Sequence, residues 1–189
     1  LGEKELFHEA SVKVPLIVVD TRKSADKTRG LVSNELVESI DLLPTFIEAV
    51  GLEIPTGRLE GHSLMPIIND KLENNFRKSV FSELDYGCYP VRDKLNIDVN
   101  DAKIFMIRNH KWKYIYYKGF DAQLFDLEND PNEFNDLGTC TAHAEIRKKM
   151  KDLLLERLLS RKNRITQDDT VYAEMKKDDN KKGIMIGHW

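Results

Sequence analysis

Three strand-like stretches follow one another closely along the chain and constrain the fold more than any other feature. They cover residues 103–108, 112–118 and 123–127 and are rich in β-branched and aromatic side chains. Residues 109–111 are all that separates the first two stretches, and parallel strands would need a crossover of about a dozen residues. The pattern therefore predicts a small antiparallel meander, with a further strand candidate at residues 79–84.

A long amphipathic helix is predicted after the meander, at residues 141–161. Ile146, Met150 and Leu154 recur at helical spacing, and basic residues occupy the opposite face. Residues 126–138, which precede this helix, are dense in Asn, Asp and Pro. Their carboxylates lack the spacing of a calcium-binding loop, so we interpret the segment as a solvated turn.

The first part of the chain has a different pattern. Residues 14–19 form a continuous apolar run, which is typical of a strand covered on both faces in a parallel sheet. Residues 39–51 read as a helix, with Ser39 or Asp41 at its start, Pro44 in its first turn and Gly51 after its end. A strand, a loop and a helix in this order make one α/β unit.

Composition excludes several functional classes. The 189 residues contain 29 Lys and Arg against 32 Asp and Glu, and this near-neutral balance argues against a nucleic-acid-binding module. No apolar run approaches the roughly 20 residues of a membrane-spanning helix. The two cysteines, Cys88 and Cys140, are too few for a disulfide scaffold or a four-cysteine zinc site.

Local motifs offer little chemistry of their own. The five histidines are scattered, and surface or capping roles account for them. Residues 88–92 read C-Y-P-V-R, which fits the short C-x-P-x-R signal for oxidation of a cysteine to formylglycine. The flanking sequence lacks the rest of that signal, so we interpret Cys88 as a partly buried loop thiol. A complete enzyme that uses Cys88 as nucleophile stays open as a third alternative.

Several strings, in order, resemble one superfamily. They are residues 3–18, residues 39–45 (S-I-D-L-L-P-T), residues 61–66 (G-H-S-L-M-P), residues 112–115 (W-K-Y-I), residues 123–127 (Q-L-F-D-L) and residues 130–133 (D-P-N-E). Together they resemble the C-terminal part of sulfatases and phosphonate monoester hydrolases of the alkaline-phosphatase superfamily. The final segment, residues 161–189, is more similar to the phosphonate monoester hydrolases.

The resemblance implies an α/β fold whose C-terminal part is α+β. Residues 1–70 would form the end of a large α/β domain, at the edge of a mixed, mostly parallel sheet with a helix. Residues 71–160 would form a subdomain, a four-stranded antiparallel sheet covered by a long helix. Residues 161–189 would be a charged segment followed by an apolar tail that docks on the protein or on a neighbouring subunit.

The resemblance also assigns one substrate-binding residue, Lys4, which begins the family string K-x-x-x-[FY]-x-E. In the family this lysine contacts the non-bridging oxygens of the sulfate or phosphonate group. The ligands of the divalent metal (Mn, Ca, Mg or Zn) would precede Leu1, as would the formylglycine, Ser or Thr nucleophile. Glu9 and Lys13 match family positions that we interpret as structural.

We therefore expect the C-terminal portion of a metal-dependent hydrolase of phosphonate monoesters, phosphate diesters or sulfate esters, inactive alone. Its expected partners are the N-terminal catalytic portion, a small anionic ester and further copies of the chain, with neither nucleic acid nor membrane. The alternative is a non-catalytic assembly module of such an enzyme, in which residues 184–189 and the aromatic meander form subunit contacts. A cytoplasmic location is favoured.

Overall fold

The computed structural model of the chain describes residues 6–162 and residue 171. The helices are α1 (Glu9–Val12), α2 (Leu42–Ala49), α3 (Met65–Ile68), α4 (Pro90–Lys94) and α5 (Ala144–Leu159). The strands are β1 (Val80–Asp85), β2 (Lys103–Arg108), β3 (Trp112–Tyr117) and β4 (Gln123–Asp126). Short 3-10 turns cover Lys23–Thr28, Ser39–Asp41 and Thr141–His143.

The four strands form one antiparallel sheet in the order β1-β2-β3-β4, which confirms the predicted sheet. Met106 on β2 pairs with Ile115 on β3, and Lys113 on β3 pairs with Phe125 on β4. Because side chains alternate between the two faces of a strand, Lys113, Ile115 and Phe125 lie on one face and Tyr114 on the other.

Each face of the sheet has its own apolar core. On one face, α5 packs Met150 and Leu154 against Ile107, Tyr114 and Leu124, as the helical spacing predicts. On the opposite face, Phe7 from the start of the described chain packs among buried residues of the sheet and its connections. These are Tyr86, Ala102, Ile104, Met106, Ile115, Phe125 and Leu127. The N-terminal segment therefore covers the face that α5 leaves open.

The predicted strand at residues 14–19 is absent from the described structure. Val14, Ile17 and Val19 are 76%, 86% and 78% exposed. A strand needs a neighbour for its backbone hydrogen bonds, and within residues 6–162 the only sheet is β1–β4, in which residues 14–19 take no part. The prediction of a strand covered on both faces is wrong for this structure, because an apolar pattern does not supply the strand's partners.

The helix predicted at residues 39–51 is present as the turn Ser39–Asp41 followed by α2. Its predicted apolar face is largely uncovered, since Leu43, Phe46 and Val50 are exposed. Among the residues that the structure describes, no helix is both long and apolar enough to cross a membrane. The predicted docking tail at residues 184–189 lies outside the described residues.

Candidate functional site

The segment that follows Lys4 is the candidate site. Lys4 itself lies outside the described residues, which begin at Leu6. Phe7 is buried in the core, and His8 stacks edge-on against Phe125 with 5.8 Å between ring centroids. Glu9 then starts α1. The chain immediately after the predicted substrate-binding lysine is therefore fixed against the sheet.

A buried ion cluster holds this segment in place. Lys113, on β3, is fully buried, and its Nζ donates a hydrogen bond of 2.8 Å to the Phe7 carbonyl oxygen. The same nitrogen lies 2.8 Å from Glu9 Oε1 and 2.6 Å from Glu133 Oε1. Arg108 Nε is 3.1 Å from Glu9 Oε1, so two cations face two carboxylates. Removal of Lys113 would leave the buried Glu133 carboxylate without its lysine partner.

Glu133 connects the cluster to the loop after β4. Its Oε2 accepts a 2.6 Å hydrogen bond from the Glu9 backbone N–H and lies 3.5 Å from His8 Nδ1. Its backbone is in the left-handed region, with φ of 58°, which is uncommon for residues other than glycine. A hollow of about 380 Å³ opens beside it, lined by residues 8–10, Lys13 and residues 131–133.

The same loop contains the carboxylates that superficially resemble a calcium site. The Asp126 side chain accepts hydrogen bonds from the Asn129 side chain at 2.9 Å and from the backbone N–H of Glu128 at 3.2 Å. Burial raises the pKa of Asp126, but the hydrogen bonds from Asn129 and Glu128 and the charge of Lys111 together hold that pKa below its usual value. This arrangement is the Asx-type turn that the sequence predicts.

A second buried cluster joins two of the other motif strings. Asp41 is fully buried and accepts hydrogen bonds from Arg77 Nη2 at 2.7 Å and from the His62 backbone N–H at 2.8 Å. Thr45 accepts a 2.8 Å hydrogen bond from the Leu64 backbone N–H. The strings at residues 39–45 and 61–66 therefore form one structural unit.

Gly61 permits the close approach of these two strings. A Cβ atom at this position would overlap the carbonyl of Ile40, so only glycine fits. Arg22 connects the same region to the chain after residues 14–19, because its Nη1 donates a 2.9 Å hydrogen bond to the Ala49 carbonyl at the end of α2. The hydrogen bond from Arg22 also lowers the pKa of Asp20 to about 2.

Cys88 is exposed in the turn before α4, rather than partly buried as the sequence analysis expected. Arg92, the last residue of its C-x-P-x-R match, pairs with Asp93 at 2.5 Å. Over residues 6–162 and 171, no group of three or more His, Cys, Asp or Glu side chains could hold a metal ion. The described residues therefore do not fit the metal that the resemblance implies.

Comparison with known proteins identifies the family. The sequence profile described as "N-sulphoglucosamine sulphohydrolase, C-terminal" matches residues 2–160. The chain belongs to this family. The sulphohydrolase match covers every motif string on which the predicted resemblance to sulfatases and phosphonate monoester hydrolases depends, and that resemblance is confirmed.

Two curated relatives show how much of a longer protein this chain aligns with. The multifunctional alkaline phosphatase superfamily protein PehA of Trinickia caryophylli is 25% identical over 143 residues, which are 74% of this chain and 27% of PehA. Arylsulfatase K of Homo sapiens is 31% identical over 143 residues, which are 71% of this chain and 24% of that protein. The chain thus spans about a quarter of the length of these relatives.

Two solved structures of phosphonate monoester hydrolases have a region whose fold is similar to that of this chain. The phosphonate monoester hydrolase of Agrobacterium radiobacter has a TM-score of 0.61 at 22% identity, over 67% of this chain and 26% of that one. The phosphonate monoester hydrolase SpPMH of Silicibacter pomeroyi has a TM-score of 0.60 at 25% identity, over 66% of this chain and 25% of that one.

Sequence reasoning missed the buried ion clusters. The sequence suggested Asp41 only as a possible start of the helix at residues 39–51, and it suggested no role for Lys113, Glu133 or Arg77. One signal was available for Lys113, because a lysine at the same strand parity as Ile115 and Tyr117 points toward the core in an apolar strand. Its partners come from positions 106 and 20 residues away along the chain, which no local pattern connects.

Proposed function

We propose that this chain is the C-terminal portion of a metal-dependent hydrolase of phosphonate monoesters, phosphate diesters or sulfate esters. Lys4 binds the non-bridging oxygens of the ester, because a compact ammonium interacts well with spread anionic charge and with the additional charge of the transition state. The family match over residues 2–160 carries the proposal. The buried anchorage of Phe7 and Glu9, just after Lys4, supports it.

In this proposal, residues 1–70 complete the large domain of the enzyme. Residues 14–19 add a strand to the sheet of the N-terminal catalytic portion, which supplies the nucleophile and the metal ligands. The exposed side chains of Val14, Ile17 and Val19 support this role, because an exposed apolar segment can bury its side chains and pair its backbone when it joins the edge of a sheet. Phe46, 62% exposed on α2, is a further apolar side chain that the catalytic portion would cover.

A second candidate function is a non-catalytic assembly module, in which residues 184–189 and the aromatic meander, together with exposed apolar surfaces, join copies of the chain. The exposed side chains of Leu43 and Phe46 on α2, and of Val50 directly after it, favour this alternative. Size-exclusion chromatography of the chain, with and without residues 184–189, tests it. An oligomer that becomes a monomer on truncation supports tail-mediated assembly, and a monomer in both samples contradicts it.

The hydrolase proposal is tested with an aryl phosphonate monoester, a phosphate diester and an aryl sulfate, in the presence of Mn²⁺ or Ca²⁺. We expect no turnover by the chain alone and measurable turnover by the polypeptide translated together with its upstream coding sequence. In that polypeptide, Lys4→Ala should lower kcat/KM by about 100-fold or more, the typical loss for one group that stabilises a transition-state oxyanion.

Lys23→Ala is the matched control, because Lys23 is an exposed lysine in a surface turn. It should leave kcat/KM within about twofold of the unsubstituted protein, as is usual for a surface substitution of a few tenths of a kcal/mol. Equal activity of the Lys4→Ala and Lys23→Ala variants would contradict the role of Lys4. Turnover by the chain alone would contradict its dependence on a catalytic portion.

A further inference from the structure

Complete burial of the Lys113 ammonium is the observation that needs an explanation beyond stability. Lysine is almost never fully buried, and an apolar side chain of similar volume would fill the same space on β3 without the cost of desolvation. We propose that Lys113 is a positioning residue for the ester-binding Lys4, acting through the backbone of residues 7–9. This inference rests on the proposed role of Lys4.

The contacts hold the backbone itself as well as side chains. Lys113 Nζ binds the carbonyl oxygen of Phe7 at 2.8 Å, and Glu133 Oε2 binds the backbone N–H of Glu9 at 2.6 Å. Two backbone groups two residues apart are therefore fixed by charged partners, which defines both the position and the direction of the chain at this point. Around the same nitrogen, Glu9 Oε1 at 2.8 Å and Glu133 Oε1 at 2.6 Å are ion-pair partners of the ammonium.

The short distance along the chain transmits this constraint to Lys4. Only two residues lie between Lys4 and Phe7, and each residue spans at most about 3.6 Å, so a displacement of the Phe7 backbone is passed on over a short stretch of chain. Apolar packing of the Phe7 ring attaches the segment to the core, but it does little to fix the orientation of the backbone, because the hydrophobic effect is non-directional. The charge-assisted hydrogen bonds of Lys113 and Glu133 to the backbone fix this orientation.

The backbone of Glu133 has a conformation that its own residue type disfavours, and the fold nevertheless maintains it. Its positive φ of 58° is sparsely populated for a residue with a Cβ, and such strain persists only where the surroundings over-determine it. The surroundings here are Lys113 and the Glu9 N–H, which bind its two carboxylate oxygens separately. The loop after β4 is thus a second fixed point for the segment that follows Lys4.

The test is a double-mutant cycle in the polypeptide that includes the upstream coding sequence. Lys113→Met should lower kcat/KM by about 10- to 100-fold at a temperature where the variant is folded, since a misplacement of about 1 Å can cost that much. If Lys113 acts through Lys4, the double variant Lys4→Ala/Lys113→Met should be no slower than Lys4→Ala. Multiplication of the two losses would overturn the positioning role while leaving the role of Lys4 intact.

Lys111→Met is the matched control, because Lys111 lies two residues earlier and pairs with Glu128 at the surface. It should change kcat/KM less than twofold, and an effect equal to that of Lys113→Met would overturn the proposal. If Lys4→Ala leaves kcat/KM unchanged, the proposed function and this inference both fail. If Lys113→Met does not fold, Glu133→Gln takes its place in the cycle with the same expected non-additivity.

Hydrogen exchange of the 189-residue chain gives an independent readout. Lys113→Met should accelerate exchange of the backbone amides of residues 7–12 at least tenfold while β2 and α5 keep their protection. Such selective release is expected if the cluster holds this segment in particular. Uniform acceleration over the whole sheet, or unchanged protection of residues 7–12, would overturn the proposal.

Discussion

Asp41→Asn is the most direct test of how the motif strings are held together. Each carboxylate oxygen of Asp41 serves two donors. Oδ1 accepts from Arg77 Nη2 at 2.7 Å and from the His62 N–H at 2.8 Å, and Oδ2 accepts from Arg77 Nη1 at 3.0 Å and from the Glu38 N–H at 2.7 Å. An asparagine would replace one of these oxygens with an NH₂ group. In either orientation of the amide, its NH₂ group would face two N–H donors and could accept a hydrogen bond from neither.

The expected loss follows from the burial of the pair. Removal of one partner from a buried ion pair costs about 3–5 kcal/mol. Arg77 keeps a second carboxylate, Glu38 Oε2 at 2.8 Å, so we expect the lower end, about 3 kcal/mol. Because a domain of this size shifts by about 2–4 °C per kcal/mol, the unfolding midpoint should fall by about 6–12 °C.

Thermal unfolding followed by circular dichroism measures this shift. Asp26→Asn is the control, since it makes the same chemical change in the exposed Asp26–Arg29 pair, where less than about 1 kcal/mol is expected. A further variant, Arg77→Met, tests the coupling, because its combination with Asp41→Asn should cost less than the sum of the two single losses. Equal midpoints for Asp41→Asn and Asp26→Asn would refute the reasoning.

Three further predictions concern the loss of stability at acid pH, the chemistry of Cys88 and the exposed apolar segment at residues 14–19. Burial raises the pKa of Glu60, but the hydrogen bonds from the Lys162 N–H and Arg157 and the charges of Arg157 and Arg161 together lower the pKa below 4.5. Glu60 therefore adds to the free energy of unfolding above pH 4.5, and this contribution is lost as the pH falls through the pKa of Glu60 in the folded state. Glu60→Gln should make the free energy of unfolding less dependent on pH in the acid range. An unchanged pH dependence argues against this linkage. Intact-mass measurement of protein from cells with the formylglycine-generating machinery should show unmodified Cys88, whereas a decrease of about 18 Da, the value expected from the oxidation chemistry, would support the third alternative. Ile17→Lys should reduce aggregation of the chain alone and abolish its co-purification with the catalytic portion, and undiminished co-purification would contradict strand addition.

Local patterns predicted the sheet and its covering helix. The connection at residues 109–111 is too short for anything but a hairpin, and β2 and β3 pair as expected. The spacing of Met150 and Leu154 placed one helix face against the sheet, where both residues are buried. These elements were predictable because adjacent strands and a single amphipathic helix depend on interactions between residues close together along the chain.

The candidate site was predictable only through resemblance. The motif strings pointed to Lys4 and to the segment around Glu9, whereas nothing in the order of residues connects Lys113 with Phe7 or Asp41 with Arg77. These pairs lie 106 and 36 residues apart along the chain. Which charged residues pair at such separations is decided by the folded chain, since the sequence offers many other lysines and carboxylates as possible partners.

The sequence by itself determined which segments are strands and helices in the second half of the chain, and the family to which the chain belongs. Tertiary structure alone decided that residues 14–19 lie exposed, because a strand exists only where another strand accepts its hydrogen bonds. It also decided that Lys113 is buried beside Glu9 and Glu133. Burial of a charge is tolerated only where packing brings opposite charges and hydrogen-bond partners to the same point in space.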